Sequence, residues 1–358
     1  MEKLLKAFSK NGLNLKNSIV MAPMTRSRAI NNLPNELMAA YYQQRSGAGL
    51  IITEGTAPAP EALGYPNIPG IFNEEQVEGW KLTTGKVHSS QSRIFVQLMH
   101  TGRIGHVDNL PADTKLVGVS DITAAGQIFT LSGMQDYSKP TPLTLRDIPH
   151  VIEGFVSASR NAIKAGFDGV EIHGANGYLL EQFLNPYVNT RTDGYGGSIE
   201  NRARFAFELV TAVAKAIGKE KVGIRFSPFS TLGDLPEYDE QEVQQTYAYL
   251  ADQLDRLDIA YLHIGVNAPI PQHTFDAIRK NFKGTIILCN GLTADSAEEA
   301  LQGGFADLVG FGRGFLANPD FVERISKMAP LNEIDFSTLY TSGAKGYTDY
   351  PTLVQTTA

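Results

Sequence analysis

The sequence has a single cysteine, Cys289, in 358 residues. An internal disulfide is therefore impossible, and so is any iron–sulfur cluster or zinc centre held by four cysteines. No apolar run approaches the roughly 18 residues that cross a bilayer, and the opening MEKLLKAFSKNGLNLKN lacks an apolar stretch of signal-peptide length. A soluble cytoplasmic protein with no membrane partner is expected. Blocks of one charge are also missing: 31 Lys and Arg stand against 38 Asp and Glu, net −7, and the basic residues are scattered. Such a surface offers no footprint for a phosphate backbone, so nucleic acid is not expected as a partner. None of His100, His106, His173 and His263 shows a paired spacing such as HExxH, no carboxylates cluster, and no metal site is expected. A GxSxG elbow and a Walker A loop are absent too, and GFGRGF follows the last strand-like run rather than opening a dinucleotide unit.

What is there is a pattern. At 42% hydrophobic and 19% charged, the chain has enough apolar material for a large core. Short apolar, β-branched runs alternate with longer runs at helical period. The strand-like runs are SIVMAP (18–23), GLIITEG (49–55), RIFVQLMH (93–100), GVEIHGA (169–175), VGIRFSP (222–228), AYLHIGV (260–266), TIILCNG (285–291) and LVGFGRG (308–314). They are apolar throughout rather than alternating, which suits a parallel sheet covered on both faces. Eight strand–helix units predict an α/β fold of one domain over residues 1–358, a closed (β/α)8 TIM barrel; the pattern alone leaves an open doubly wound sheet as the alternative. Ser198 is a plausible helix N-cap, and Asn318-Pro319-Asp320 places proline at a first helical position. Two regions fall outside the repeat. Residues 1–17 read as a hairpin turning at Asn11-Gly12 that closes the barrel floor, and residues 104–145 form a long excursion after the third strand, read as a lid.

Activity in such a barrel sits where the C-terminal ends of the strands converge. Those ends carry Thr25 and Arg26, Glu54 and Gly55, Gln97 and His100, His173, Arg225, His263, Asn290-Gly291, and Gly312-Arg313. The last two follow strands seven and eight. Either set of glycines alone could serve only a tight turn, but together with Arg313 they favour a phosphate site. Arg225 inside a strand needs a partner: a salt bridge to Glu54 is the structural explanation, an acceptor-rich ligand edge the functional one. His173 and Asn176 stand three residues apart at a strand end. A lone histidine there is commonly structural; the two together are donors suited to one carbonyl or nitro oxygen on which negative charge builds. Tyr178 is either packing or a proton donor to the neighbouring carbon.

Assembled, these residues resemble the old yellow enzyme family of flavin-dependent alkene reductases over about residues 3–353. The motifs that carry the resemblance are APMTRSR (22–28), QLMHTGRIGH (97–106), the long GFDGVEIHGANGYLLEQFLNPYVNTRTDGYGGSIENRARF (166–205), VGIRFSP, GFGRGFLANPD and GYTDYP (346–351). The ending GAKGYTDYPTL is similar to that of the N-ethylmaleimide and pentaerythritol tetranitrate reductase branch. The resemblance implies non-covalent FMN, with Pro23, Met24 and Thr25 lining it, Gly55, Gln97 and Arg225 holding its pyrimidine ring, and Gly291, Gly312 and Arg313 binding its phosphate. It implies His173 and Asn176 as the substrate-activating pair, Tyr178 as proton donor, and Tyr65 and Tyr350 in the substrate pocket. NADPH or NADH would reduce FMN, which would pass hydride to the β-carbon of an unsaturated aldehyde, ketone, maleimide or nitroalkene in a ping-pong cycle, in a monomer or weak homo-oligomer. Met99 departs from the bacterial relatives, which generally show Trp there; a flexible thioether is expected to open that side of the pocket. Three rivals are weighed. An iron–sulfur branch of the same barrel is excluded by the single cysteine, while a non-flavin lyase or isomerase acting on a phosphorylated substrate, and a non-catalytic flavin redox sensor, remain.

Overall fold

The structure, a computed structural model, describes residues 1–289 and 291–356. Eight parallel strands close into a barrel, numbered here in chain order: β1 Ile19–Met21, β2 Leu50–Thr56, β3 Arg93–Leu98, β4 Gly169–Gly174, β5 Val222–Phe226, β6 Tyr261–Gly265, β7 Thr285–Cys289 and β8 Leu308–Phe311. The last pairs with the first through Val309↔Ile19 to Phe311↔Met21, which removes both sheet edges. The expected eight-stranded barrel is therefore the fold, and the open sheet is not. The reason lies in burial: all seven positions of β2 are buried, as only a strand with a packed core inside and helices outside can be.

The hairpin forms where Asn11 and Gly12 both take positive φ (50° and 80°), as a two-residue hairpin turn requires. Phe8–Lys10 pairs with Leu13–Leu15. Leu13 and Leu15 then join Val20, Leu50, Ile52, Phe95, Tyr261, Ile287 and Leu308 in one buried cluster, so the hairpin plugs the barrel floor. Each buried leucine there contributes about 1.5–3 kcal/mol.

The outer helices follow local rules. Ser198 Oγ accepts from Asn201 N at the start of Ile199–Ile217, and Asn73 and Gln76 make a reciprocal capping box at Glu74–His88. One expectation fails. Pro319 does not begin a helix; the helix Phe321–Lys327 starts after Asp320, because the Asn318 side chain is engaged with Gly314 O and Asn332 N and holds Pro319 in the turn before it.

The 104–145 excursion contains an antiparallel hairpin, Gln127–Thr130 with Gly133–Asp136, and a short parallel pair, Val117–Gly118 with Thr141–Pro142. Arg103, 2% exposed, donates to the carbonyls of Gly233 and Asp234 in the segment after β5. Asp234 in turn accepts from Ala125 N, which ties the excursion to the barrel rim. Among the described residues no helix is long and apolar enough to cross a membrane, and no group of three or more His, Cys, Asp or Glu is placed to hold a metal ion.

Candidate active site

The barrel interior changes character halfway up. Above the apolar floor cluster, Gln97 on β3 donates its Nε2 to Glu171 Oε1 at 2.8 Å, and His263 Nδ1 on β6 meets Glu171 Oε2 at 2.8 Å. Neither side chain of the Glu171–His263 pair is exposed at all. Burial disfavours charge on His263, but the facing Glu171 carboxylate and a hydrogen bond with Cys289 together raise its pKa. One step nearer the mouth, His173 and Arg225 are register partners on β4 and β5. Arg225 is 5% exposed, and its Nε has no partner among the described residues. The expected salt bridge to Glu54 is not formed. Glu54 instead accepts from Arg26 N and the Tyr42 hydroxyl, because the pairing of β2 with β3 slips between Ile52 and Gly55 and re-aims its side chains. Arg225 borders a cavity of about 580 Å3 with Pro23, Met24, Gly291, Gly312 and Arg313. A Cβ added at Gly291, where φ is +70°, would meet nothing within 4 Å. Asn290, read with it in the sequence, lies outside the described residues.

His173 ends β4 with its Nδ1 accepting from Ala175 N at 3.2 Å, which puts the ring proton on Nε2. Burial first, then the positive field of Arg225 and His263, holds its pKa well below the ordinary range, so the ring is neutral at neutral pH. Asn176 takes a left-handed conformation (φ 59°), its N–H donating to Ser227 Oγ at 2.8 Å. Its amide oxygen accepts from Asn267 Nδ2 at 2.6 Å, which leaves its own Nδ2 as the free end. Below it, Glu181 accepts from Gly177 N, Ser227 Oγ and the Tyr247 hydroxyl and so braces the loop; burial pushes its pKa up to about 7. Tyr178 stands edge-on to His173 with ring centroids 4.9 Å apart. Its hydroxyl lies 3.0 Å from that of Tyr65, and burial pushes its pKa up to about 12. Tyr178 therefore keeps its proton across the physiological range.

A second cavity, about 630 Å3, is bordered by Tyr178. Thr25, Tyr65 and Tyr178 form its base, Ile128, Phe129, Met134 and Tyr137 of the excursion one wall, and Phe336 and Tyr340 another; no lining residue carries a formal charge. Arg225, the register partner of His173, thus borders a cationic, glycine-walled cavity, and Tyr178, packed on His173, an uncharged aromatic one. That arrangement can bind a flat anionic cofactor on one side and a neutral organic molecule on the other.

A model of the NADH:flavin oxidoreductase / NADH oxidase family matches residues 4–332. The chain belongs to that family. It is 42% identical to 12-oxophytodienoate reductase 1 of Oryza sativa subsp. japonica, over 98% of this chain and 93% of that protein. It is 40% identical to 12-oxophytodienoate reductase 2 of Arabidopsis thaliana, over 99% and 96%. Among solved structures, morphinone reductase in complex with tetrahydroNAD superposes with a TM-score of 0.94 at 42% identity, covering 98% of this chain and 97% of that one. The old yellow enzyme homologue from Zymomonas mobilis gives 0.93 at 38%, covering 98% and 99%. The resemblance read from the motifs holds: this is a flavin oxidoreductase of the old yellow enzyme type.

In this flavin oxidoreductase the fold brings His173, Asn176, Tyr178 and Tyr65 together, and separately Pro23, Met24, Arg225, Gly291, Gly312 and Arg313. Gln97 lies in the polar layer beneath. Two residues expected in the substrate pocket are not among those bordering the aromatic cavity. Met99 is 1% exposed and belongs to a cluster with Ala57, Ala62, Leu63 and Ile68 against which Tyr65 and Tyr178 also pack; Gly55 is the small residue over it, since a Cβ there would lie 2.5 Å from the Met99 sulfur. Tyr350 does not border the aromatic cavity: its hydroxyl accepts from Asp335 N, and Tyr340, ten residues earlier, lines the cavity. Sequence reasoning passed over Tyr340, Asn267, Glu171 and Glu181. The last two sit inside the quoted motif, where acidic residues among buried positions were the available signal.

Proposed function

We propose that the chain is an FMN-dependent ene-reductase that uses NADPH or NADH to reduce activated alkenes, in the cytoplasm, as a monomer or weak homo-oligomer. What supports this reading is that three neutral, proton-bearing side chains, His173, Asn176 and Tyr178, follow one another at the end of β4, with Tyr178 packed edge-on to His173 and bordering a cavity whose lining residues carry no formal charge. Relatives that are themselves named reductases support it.

The residues fit FMN. Arg313 and the open space over Gly291 and beside Gly312 suit a phosphate. Arg225, a buried guanidinium with an unpartnered Nε, suits the acceptor-rich edge of the pyrimidine ring. Gln97 and Gly55 would complete that edge, and Pro23, Met24 and Thr25 would line the ring between the cavities. Bound there, FMN supplies hydride transfer, taken from a nicotinamide and delivered to the β-carbon of an α,β-unsaturated aldehyde, ketone, maleimide or nitroalkene in alternate half-cycles.

The chain's own residues do the rest. His173 and Asn176 hold the substrate's carbonyl or nitro oxygen and stabilise the charge that gathers on it. Because His173 is neutral, it donates a hydrogen bond without losing its proton. Tyr178 O–H gives its proton to the α-carbon, and Tyr65, in hydrogen-bond contact, holds that hydroxyl in place. The excursion over residues 104–145 covers the aromatic cavity and limits water, with Tyr65 and Tyr340 gripping the substrate's apolar body.

Purified protein is expected to be yellow and to oxidise NADPH or NADH when offered 2-cyclohexen-1-one. A colourless protein that takes up no added FMN would contradict this reading. A yellow protein inert towards a dozen activated alkenes would favour a redox sensor.

A further inference from the structure

A carboxamide has almost the same shape either way round, so its neighbours decide which end faces a ligand. Asn176 is pinned at its backbone by Ser227, but its side chain can still turn end for end. In the structure that choice is made from outside the β4 segment. Asn267, exposed on the loop after β6 and bordering the cationic cavity, donates Nδ2 to Asn176 Oδ1 at 2.6 Å across 91 positions of sequence. With its oxygen taken, Asn176 can offer a substrate oxygen only N–H. Turned over, it would set oxygen against oxygen and repel what it should hold.

We propose that Asn267 is a positioning residue that orients the Asn176 amide, presenting its N–H end to the substrate oxygen. The inference rests on the ene-reductase reading above.

Two substitutions separate orientation from mere support. Asn267→Ala removes the donor and leaves Asn176 free to present either end. Asn267→Asp is nearly isosteric and, exposed at neutral pH, accepts without donating. It therefore draws the Asn176 NH2 group towards itself and turns the oxygen to the substrate. A structural role alone would make alanine the worse replacement; orientation makes aspartate the worse one.

The test measures phenol binding to the flavin-loaded protein, which needs no turnover, and kcat/KM for 2-cyclohexen-1-one. Asn267→Ala is expected to weaken both by roughly threefold, and Asn267→Asp by roughly thirtyfold or more, as the loss and reversal of one oriented donor implies. Asn267→Gln, which keeps a donor, is expected to stay near wild type. In an Asn176→Ala background, Asn267→Asp is expected to change either quantity by less than about twofold, because the group it acts through is gone. Aspartate no worse than alanine, or an aspartate penalty that persists without the Asn176 amide, would overturn the inference. Should the aspartate variant not fold, Asn267→Glu supplies the same acceptor-only chemistry and is read the same way. A wild-type protein that takes up FMN but neither binds phenol nor reduces the enone would overturn the ene-reductase reading and this inference with it; wild-type behaviour as expected, with aspartate equal to alanine, overturns this one alone.

Discussion

The lower and upper halves of the barrel interior are made by the same eight strands and follow opposite rules. Below, Val20, Leu50, Ile52, Phe95, Ile287 and Leu308 pack on the hairpin leucines, and apolar burial is the whole argument. Above, Gln97, Glu171, His173, Arg225 and His263 are all buried, five polar side chains where a packed barrel ordinarily holds aliphatic ones. Each buried donor or acceptor left without a partner costs about 1–3 kcal/mol. Arg225 Nε, without a partner among the described residues, carries that cost. The difference teaches where stability and function are kept apart: the floor holds the barrel closed, and the upper layer gives up stability to hold ligand-facing groups in place.

Substitutions in the two halves should therefore fail in different ways. The largest effect is expected above. His173→Ala with Asn176→Ala should lower kcat/KM for 2-cyclohexen-1-one by roughly a thousandfold or more, with FMN content and thermal midpoint near wild type. A large fall in the thermal midpoint of that variant would merge the two halves and break the contrast. Below, Phe95→Ala should cost about 3–5 kcal/mol of unfolding free energy in a urea titration, yet leave kcat/KM of the folded fraction unchanged. Arg313→Ala should weaken FMN by about ten- to a hundredfold and riboflavin, which lacks the phosphate, hardly at all. Equal weakening of both flavins would remove Arg313 from the phosphate role.

The smallest effect is a slope. Burial lowers His100, two residues past β3, from 6.5 to about 3, with its Nε2 unpartnered among the described residues. The unfolded chain takes a proton on this ring below 6.5 that the folded ring refuses until about 3, so His100 subtracts stability as pH falls through that window. His173 acts in the same direction. Glu54 and Glu181, raised from 4.5 to about 7, act oppositely by holding protons longer in the folded state. The measurement is consequently the difference between wild type and His100→Gln: the wild type should lose ground to the variant steadily from pH 6.5 to pH 4. A difference that does not change with pH would mean that the ring is not buried without a partner.

This division also explains what could be read from residues alone. The strands, the hairpin turn at Asn11-Gly12 and the caps at Asn73 and Ser198 are local matters of period and φ, and they are legible in the sequence. His173, Asn176 and Tyr178 are legible because one strand end carries them all. Glu54 was not, since the slip in β2 that turns it outward is set by the neighbouring strand. Tyr340 and Tyr350 lie in a stretch without regular periodicity, where only tertiary contact decides which of them reaches the cavity. Asn267 and Glu181 are hydrogen-bonded to partners 91 and 46 positions away, Asn176 and Ser227, and no spacing rule carries such a contact.

The most direct test of the central claim is a crystal structure of the protein with FMN and phenol. The account predicts the phosphate at Arg313, the ring across the strand ends between the two cavities, and the phenolic oxygen within hydrogen-bond distance of both His173 Nε2 and Asn176 Nδ2. A flavin seated elsewhere, or a phenolic oxygen that meets neither nitrogen, would contradict it.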